Sequence, residues 1–545
     1  MNAPVGTIDG VVTPQVLREM MRDGAELAVL DARGEQSFSQ AHLLFATCLP
    51  LGRIELDAAC LLPRRSVRVV WCDDGSGLAR RAALRLRALG YDNVSTLDGA
   101  TEAWRSARLP LYSGVHVPSK AFAEVVEHEC GTPWISAEEL NERLTRGDAI
   151  RVFDSRSFEE YQNNSIPGAT SLPGAELVYR IHDLVPAPET LVVVNCGGRT
   201  RSIIGAQALI NAGVPNRVVS LRNGTMGWHL AGFPVSRGAV LQAAEPSSKA
   251  LERATRAAES VAGQLGIRGI DMPTLAAWRD EIESRTLYVL DVRSPEEYRA
   301  GHLPGALSAP GGQLVQETDN WLAVWGARVV LVDDRHLVRA RMTASWLMQM
   351  GWTDTATLAW DPARDPVETG FPASMPLGLD SVAHMESRAV TPALLADRLK
   401  SAASTVVDVG SSKNYTKGHI PGAYFVTRVR LPEHLAKLPS QGPLVVTSED
   451  GMLGQFAAAD LVATTGRDAQ WLRGGTQAWA AAALPLEEGD ARLIDEPDDV
   501  WYAPRERSTC PEEGMVQYLD WEIELVNQIA RDPDNRIRIA RLGRR

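Results

Sequence analysis

Short apolar runs that end in an acid recur along the chain: Val29-Leu30-Asp31, Val152-Phe153-Asp154, Val289-Leu290-Asp291 and Val406-Val407-Asp408. Runs of this length without polar alternation read as strands covered on both faces. A second apolar run follows in each unit, at 67–71, 191–194, 329–332 and 444–447, and a loop and an amphipathic helical stretch come after it. Each unit closes on a further strand with a Gly or Trp signature: Leu97-Asp98-Gly99 with Trp104, Leu221-Arg222-Asn223-Gly224 with Trp228, and Leu472-Arg473-Gly474-Gly475 with Trp479. The third unit keeps only Leu358 and Trp360 of that ending. Repetition on this scale means one structural unit used four times. Short β runs alternating with helical stretches predict an α/β fold, each unit a parallel-sheet core flanked by helices, with ligands bound beyond the carboxyl ends of the strands.

The units are expected at 10–112, 134–236, 266–374 and 389–487, with a C-terminal extension at 488–545. The first linker holds a short helix candidate at 120–129. The second places Leu251, Ala254, Ala258, Val261 and Leu265 at helical spacing, which predicts a helix packed between two pairs of units. The extension is acidic and Pro-containing, then becomes helical, with Val516, Leu519, Ile523, Val526 and Ala530 on one face. The arginines at 536–545 read as a frayed terminus.

Composition narrows the functional classes. Fifty-six Lys and Arg against sixty-eight Asp and Glu give a net charge of −12, which repels phosphate backbones and anionic lipid, so neither nucleic acid nor membrane is expected as a partner. No apolar stretch is long enough to span a bilayer, and the N-terminus lacks a signal pattern, so a cytoplasmic protein is expected. The six cysteines form no C-x-x-C pair, no metal-ligand spacing is present, and no Gly-rich stretch ends in a phosphate-loop Gly-Lys-Ser/Thr. No metal or cofactor is expected, and any sulfur chemistry belongs to a single thiol.

That thiol is Cys196. The second strand of the second unit runs into Cys196-Gly197-Gly198-Arg199-Thr200-Arg201-Ser202 and then into a helix. Glycines let backbone amides converge on the sulfur, and the following helix start adds unpaired N–H groups and partial positive charge. Such a cradle favours an anion and is expected to lower the thiol pKa. Arg199 and Arg201 are expected to hold an anionic substrate through charge-assisted hydrogen bonds.

Further motifs carry a family resemblance. They are Asp154-Ser155-Arg156 and Asp291-Val292-Arg293, the turns Ile166-Pro167-Gly168-Ala169, His302-Leu303-Pro304-Gly305-Ala306 and His419-Ile420-Pro421-Gly422-Ala423, and the Gly-Gly-x-x-x-Trp ending. Together with the Cys-x-x-x-x-Arg-Ser loop, they resemble rhodanese-like sulfurtransferases across roughly residues 10–487. The resemblance implies four tandem domains and transfer of a sulfane sulfur from thiosulfate or a related donor to a thiol or cyanide through a persulfide on Cys196. Gly197, Gly198, Arg199, Thr200, Arg201 and Ser202 would bind the donor. The loop matches neither Cys-Arg-Lys-Gly-Val-Thr, which resembles the thiosulfate form, nor Cys-Gly-x-Gly-Val-Thr, which resembles the mercaptopyruvate form. Rhodanese-like phosphatases resemble a loop one residue longer, so phosphatase activity is disfavoured.

Counting back from the glycine that ends each following helix aligns Asp73, Asp334 and Glu449 with Cys196. A carboxylate cannot carry sulfane sulfur, so the first, third and fourth units are expected to be inactive and available to cover the active one or to bind a protein partner. A one-residue shift would bring Cys72 to the first loop, where acidic neighbours oppose a thiolate. Asp154, Arg156, His302 and His419 are expected to tie their own units together. The competing reading is a non-catalytic sulfur carrier or protein-binding scaffold.

Overall fold

The protein is described here from a computed structural model covering residues 10–372, 376–401, 403–439, 442–507 and 509–542. The expected end of the third unit at 374 and the last arginines lie outside the described residues.

Four parallel sheets appear, and in each the strands lie in the order first, fifth, fourth, second, third. In the second domain these strands are Trp134–Ile135, Ile150–Asp154, Thr170–Ser171, Leu191–Asn195 and Val218–Leu221. The fourth strand, Leu191–Asn195, is buried at every position and lies between the second and the fifth, as its unbroken valines require. Its carboxyl end is therefore central, and the chain leaves it directly into the Cys196 loop.

The Asp-x-Arg motif is an internal tie, and it occurs in the first domain as well. Arg33, Arg156 and Arg293 each grip the aspartate two residues earlier, and then reach the backbone carbonyls of Ala41, Asn164 and Gly301. The rings of His302 and His419 stack on Tyr298 and Tyr415 at 3.8 Å and bond their main-chain oxygens. Both motifs anchor turns, as expected.

The linker helix Ser248–Leu265 packs its small residues Ala254 and Ala258 between Glu176–Leu184 of the second domain and Val338–Gln349 of the third. The second domain thus packs on the third. The first domain touches both the third and the fourth. Val324–Trp325 of the third domain adds an antiparallel strand to the first domain's sheet beside Leu27–Asp31. Arg428 of the fourth donates to both carboxylate oxygens of Glu55 in the first.

Two expectations about the C-terminal extension are corrected. The helix Pro511–Ala530 buries Leu519, Glu522, Leu525 and Ile529, while Val516 and Ile523 are exposed. The buried face is rotated because the carboxylate of Glu522 shares it with Leu519, Leu525 and Ile529, so a stripe drawn through apolar residues alone misses it. The segment after this helix is docked rather than frayed through residue 542. The Asp532 carboxylate accepts from Tyr112, the Arg536 guanidinium lies over the Phe45 and Trp325 rings, and Arg538 N–H donates to the Gln349 carbonyl. Among the described residues no helix is long and apolar enough to cross a membrane.

Candidate active site

Three features shape the loop after Leu191–Asn195. Asn195 anchors its start by donating from Nδ2 to Asp154 and Thr225. The next turn clamps the loop carbonyls, because Thr225 N–H donates to Cys196 O at 2.8 Å and Met226 N–H to Gly197 O at 3.0 Å. Gly224 makes the clamp possible: it has φ +55°, and a Cβ there would lie 2.4 Å from Cys196 O. The helix Thr200–Asn211 starts immediately afterwards, and its third residue, Ser202, sets its main-chain N–H against the sulfur.

Cys196 is 2% exposed. Its Sγ lies 3.5 Å from the Ser202 hydroxyl, which in turn donates to Arg199 O at 2.8 Å. Burial pushes the thiol above its ordinary value. Arg201 and the hydroxyl and main-chain N–H of Ser202 pull it back down, and Glu522 adds to the rise. The expected acidic thiol is thus opposed in this closed arrangement by desolvation.

The strand register corrects two of the aligned positions. The amide of the residue just after the aspartate that ends each second strand, on Ala32, Ser155, Val292 and Val409, donates to the carbonyl of Cys72, Asn195, Val332 and Thr447. Asp73, Asp333 and Ser448 are therefore the residues that match Cys196, not Asp334 and Glu449. The third and fourth segments are one residue longer between strand and closing glycine, so counting back from that glycine slips by one. Cys72 lies within its strand, fully buried, at the position of Asn195.

In the sister domains the protein's own oxygens fill the cradle. Asp73 accepts from Gly75 N and Ala79 N at 2.9 and 3.0 Å. Asp333 accepts from Asp334 N and Ala340 N at 2.8 and 3.0 Å. Ser448 Oγ accepts from Gly454 N at 3.2 Å. Only the second domain places sulfur there.

The two arginines are both engaged. Arg199 is buried and grips Glu124 and Glu127 on the interdomain helix Val117–Cys130, which spans the expected 120–129 helix. Arg201 donates to both oxygens of Glu160 at 2.7 Å and to Gln313 of the third domain at 2.8 Å, and it still lines the pocket. Gly197, Gly198 and Thr200 line the same pocket. Ser202 lies behind it, against the sulfur.

Residues outside the repeat close this pocket of about 290 Å³. Trp501, Pro504, Met515, Tyr518 and Glu522 come from the C-terminal extension, and His116 and Lys120 from the first linker. Lys120 is 3% exposed, with Nζ within 5.3 Å of the Trp501, Tyr518 and Trp521 ring centres; burial lowers its pKa to about 8. No ion pair within 4 Å holds it among the described residues. The motifs of the repeat do not extend into these segments. Their one legible cue is the unusual density of aromatic residues in 501–521.

The comparisons agree with this architecture. The family described as Rhodanese-like domain matches at 13–107, 136–231, 274–360 and 391–482. A crystal structure of a thiosulfate sulfurtransferase from Pseudomonas aeruginosa is 45% identical, with a TM-score of 0.92, covering 98% of this chain and 100% of that one. A thiosulfate sulfurtransferase of Azotobacter vinelandii is 25% identical over 158 residues, covering 25% of this chain and 57% of the relative. An HTH-type transcriptional regulator, Rv0324, of Mycobacterium tuberculosis is 34% identical over 105 residues, 19% of this chain and 45% of the relative. The chain thus spans only about half the length of these two curated relatives. With the repeated sheet order, the sulfur-bearing loop and the family match in all four units, the chain belongs to the rhodanese family of sulfurtransferases, as a tandem of four Rhodanese-like domains.

Proposed function

We propose that the protein moves a sulfane sulfur from thiosulfate or a related anionic donor to a thiol or cyanide, with the second domain as its sole catalytic centre. The observation that carries this reading is the shared cradle, whose main-chain N–H groups bind carboxylate oxygen in the first and third domains, and which in the second sets the Ser202 main-chain N–H and hydroxyl against the Cys196 sulfur. A site built to bind an anion by its main chain stabilises both a thiolate and a persulfide.

In the first half-reaction the Cys196 thiolate attacks the outer sulfur of the donor. A new Sγ–S bond forms, the donor S–S bond breaks, and its electron pair leaves with sulfite. The inner helix start and the loop amides receive the charge, while Arg201 and Lys120 face the departing anion. Arg199 acts chiefly as a brace between loop and linker helix. In the second half-reaction an acceptor attacks the outer sulfur and the pair returns to Sγ. The other three domains act in support: the third lends Gln316 and Glu317 to the pocket wall, and the first and fourth anchor the extension that covers the site.

Thiocyanate production from thiosulfate and cyanide tests this reading. Cys196→Ser should abolish it, while Cys72→Ala should leave it within about twofold of wild type, since Cys72 ends its strand fully buried, at the position of Asn195 and not of the nucleophile. Equal losses in both variants would show that the chemistry is not confined to the second domain.

A further inference from the structure

Glu522 reaches the mouth of the Cys196 loop from the far end of the chain. It is 2% exposed. One carboxylate oxygen, Oε1, accepts from Tyr518 Oη at 2.9 Å and from Thr200 Oγ1 at 3.3 Å. The other, Oε2, is buried without a hydrogen-bond partner among the described residues. It lies 2.9 Å from where a Cβ on Gly198 would sit, so it faces the loop two residues from the nucleophile. A buried acceptor oxygen left open beside a reactive sulfur is costly unless something occupies it during the work of the site.

Resting on the sulfurtransferase reading, we propose that Glu522 is the proton acceptor for a small thiol that discharges the Cys196 persulfide. The carboxylate takes the proton from R–SH. The persulfide anion left by the loading step takes a proton from solvent, the thiolate attacks the outer sulfur of the resulting Cys196–S–SH, and an RS–S bond forms. The Sγ–S bond breaks, its pair returns to Sγ, and R–S–SH leaves. Glu522 then gives its proton to solvent and Cys196 stays as thiolate for the next donor. The sulfur oxidation levels exchange within the pair, so no external oxidant or reductant is used.

The surroundings suit this task. Lys120 and Glu124 face Glu522 from the linker helix, Cys196, Arg199 and Thr200 from the loop, and Tyr518 from its own helix. Burial lifts the Glu522 carboxyl above its ordinary range against the pull of Lys120, Tyr518, Arg199 and Thr200, which makes it a better base than a surface carboxylate. The acceptor must be small, because the extension covers the pocket and leaves about 290 Å³.

The test isolates the second half-reaction. Full-length wild type, Glu522→Gln and Glu522→Asp are loaded with thiosulfate, checked by mass for one added sulfur, and discharged in single turnover at about pH 6.5, where only about 1% of a free thiol is ionised. One arm uses free cysteine, still largely protonated there, since a thiol pKa is about 8.5. The other uses sulfite, which is already ionised and simply reverses the loading step. In Glu522→Gln the ratio of cysteine to sulfite discharge should fall on the order of 100-fold, the usual scale for losing a general base. Its residual cysteine rate should climb about tenfold per pH unit until the thiol ionises, and Glu522→Asp should recover part of the ratio. Parallel loss with both acceptors would show a merely structural role. An unchanged ratio in Glu522→Gln with a loss in Lys120→Met would transfer the role to the lysine, and equal discharge by an unfolded polypeptide thiol would refute the small-acceptor assignment. Wild type that gains no sulfur at all would instead sink the sulfurtransferase reading.

Discussion

Arg199 Nε and Nη2 each donate to a carboxylate oxygen of Glu124 at 2.7 Å, across the junction between the catalytic loop and the helix that precedes its domain. Both side chains are almost completely buried. Removing one member of such a pair strands the other, at a cost of about 3–5 kcal/mol. Arg199→Ala should therefore lower the melting temperature strongly, and Arg199→Lys should recover little because an ammonium cannot replace the two-pronged donor. Thermal denaturation checks this. If Arg199→Ala unfolded at the wild-type temperature and only weakened donor binding, the bracing role would be wrong.

The ionisation of Cys196 is set by opposing neighbours, and its sign can be tested one side chain at a time. Arg201 and Ser202 lower the thiol pKa, whereas Glu522 raises it. Arg201→Gln and Ser202→Ala should slow alkylation of Cys196 by iodoacetamide near neutral pH, and Glu522→Gln should speed it. Rate against pH for the persulfide-free protein gives the apparent pKa directly; a downward shift in Arg201→Gln would contradict the arrangement.

Arg339 fills the silent loop of the third domain and also ties it to the second. It is fully buried, and it donates to Asp333 at 2.9 Å, Glu297 at 2.7 Å and Glu176 of the second domain at 3.0 Å. Arg339→Met should destabilise the protein by about 3–5 kcal/mol through the carboxylates left behind. Adding Asp333→Asn should return part of that loss. Chemical denaturation of the single and double variants would expose additive effects, which would mean the two groups do not interact.

Asp408 sits where the other three domains have an Asp-x-Arg pair, but the fourth has Gly410 in place of the arginine. Burial without that partner raises the Asp408 pKa to about 7, and Glu449 adds to the rise. An unfolded Asp titrates near 3.9, so between roughly pH 4 and 7 the folded state holds a proton that the unfolded state has lost. This site's contribution to stability is then fullest below the unfolded pKa and falls as pH rises toward 7, by at most about 1.4 kcal/mol per pH unit. Asp408→Asn should flatten that decline and be relatively stabilising at pH 8. Melting curves of both proteins across this range would overturn the account if their difference stayed constant.

The repeat, the strand ends and the reactive loop were legible because each leaves a local signature. Cys196, its glycines and Ser202 stand together in sequence, and buried parallel strands show as unbroken valine runs. The roles of Arg199 and Arg201 were harder to read, since Glu124, Glu160 and Gln313 come from distant elements and convert exposed-looking cations into buried ion pairs. Asp333 and Ser448 were displaced by one position because a single extra residue shifts any count taken from the far end of a helix. The pocket's outer wall was not legible. Glu522 is a charged residue on a buried helix face, so an apolar stripe drawn through Val516 and Ile523 points the helix the wrong way.

Thr200 and Glu522, which meet at that wall, are 322 residues apart. Chains emerge from the ribosome N-terminus first and their domains fold as they appear. The second domain can therefore form its sheet and expose its thiol to water well before residues 501–522 have been made, and only late in translation does the pocket acquire its roof. Nicking the connection near residue 490 after synthesis would uncouple the same two parts, leaving a folded thiol with an open, differently selective mouth.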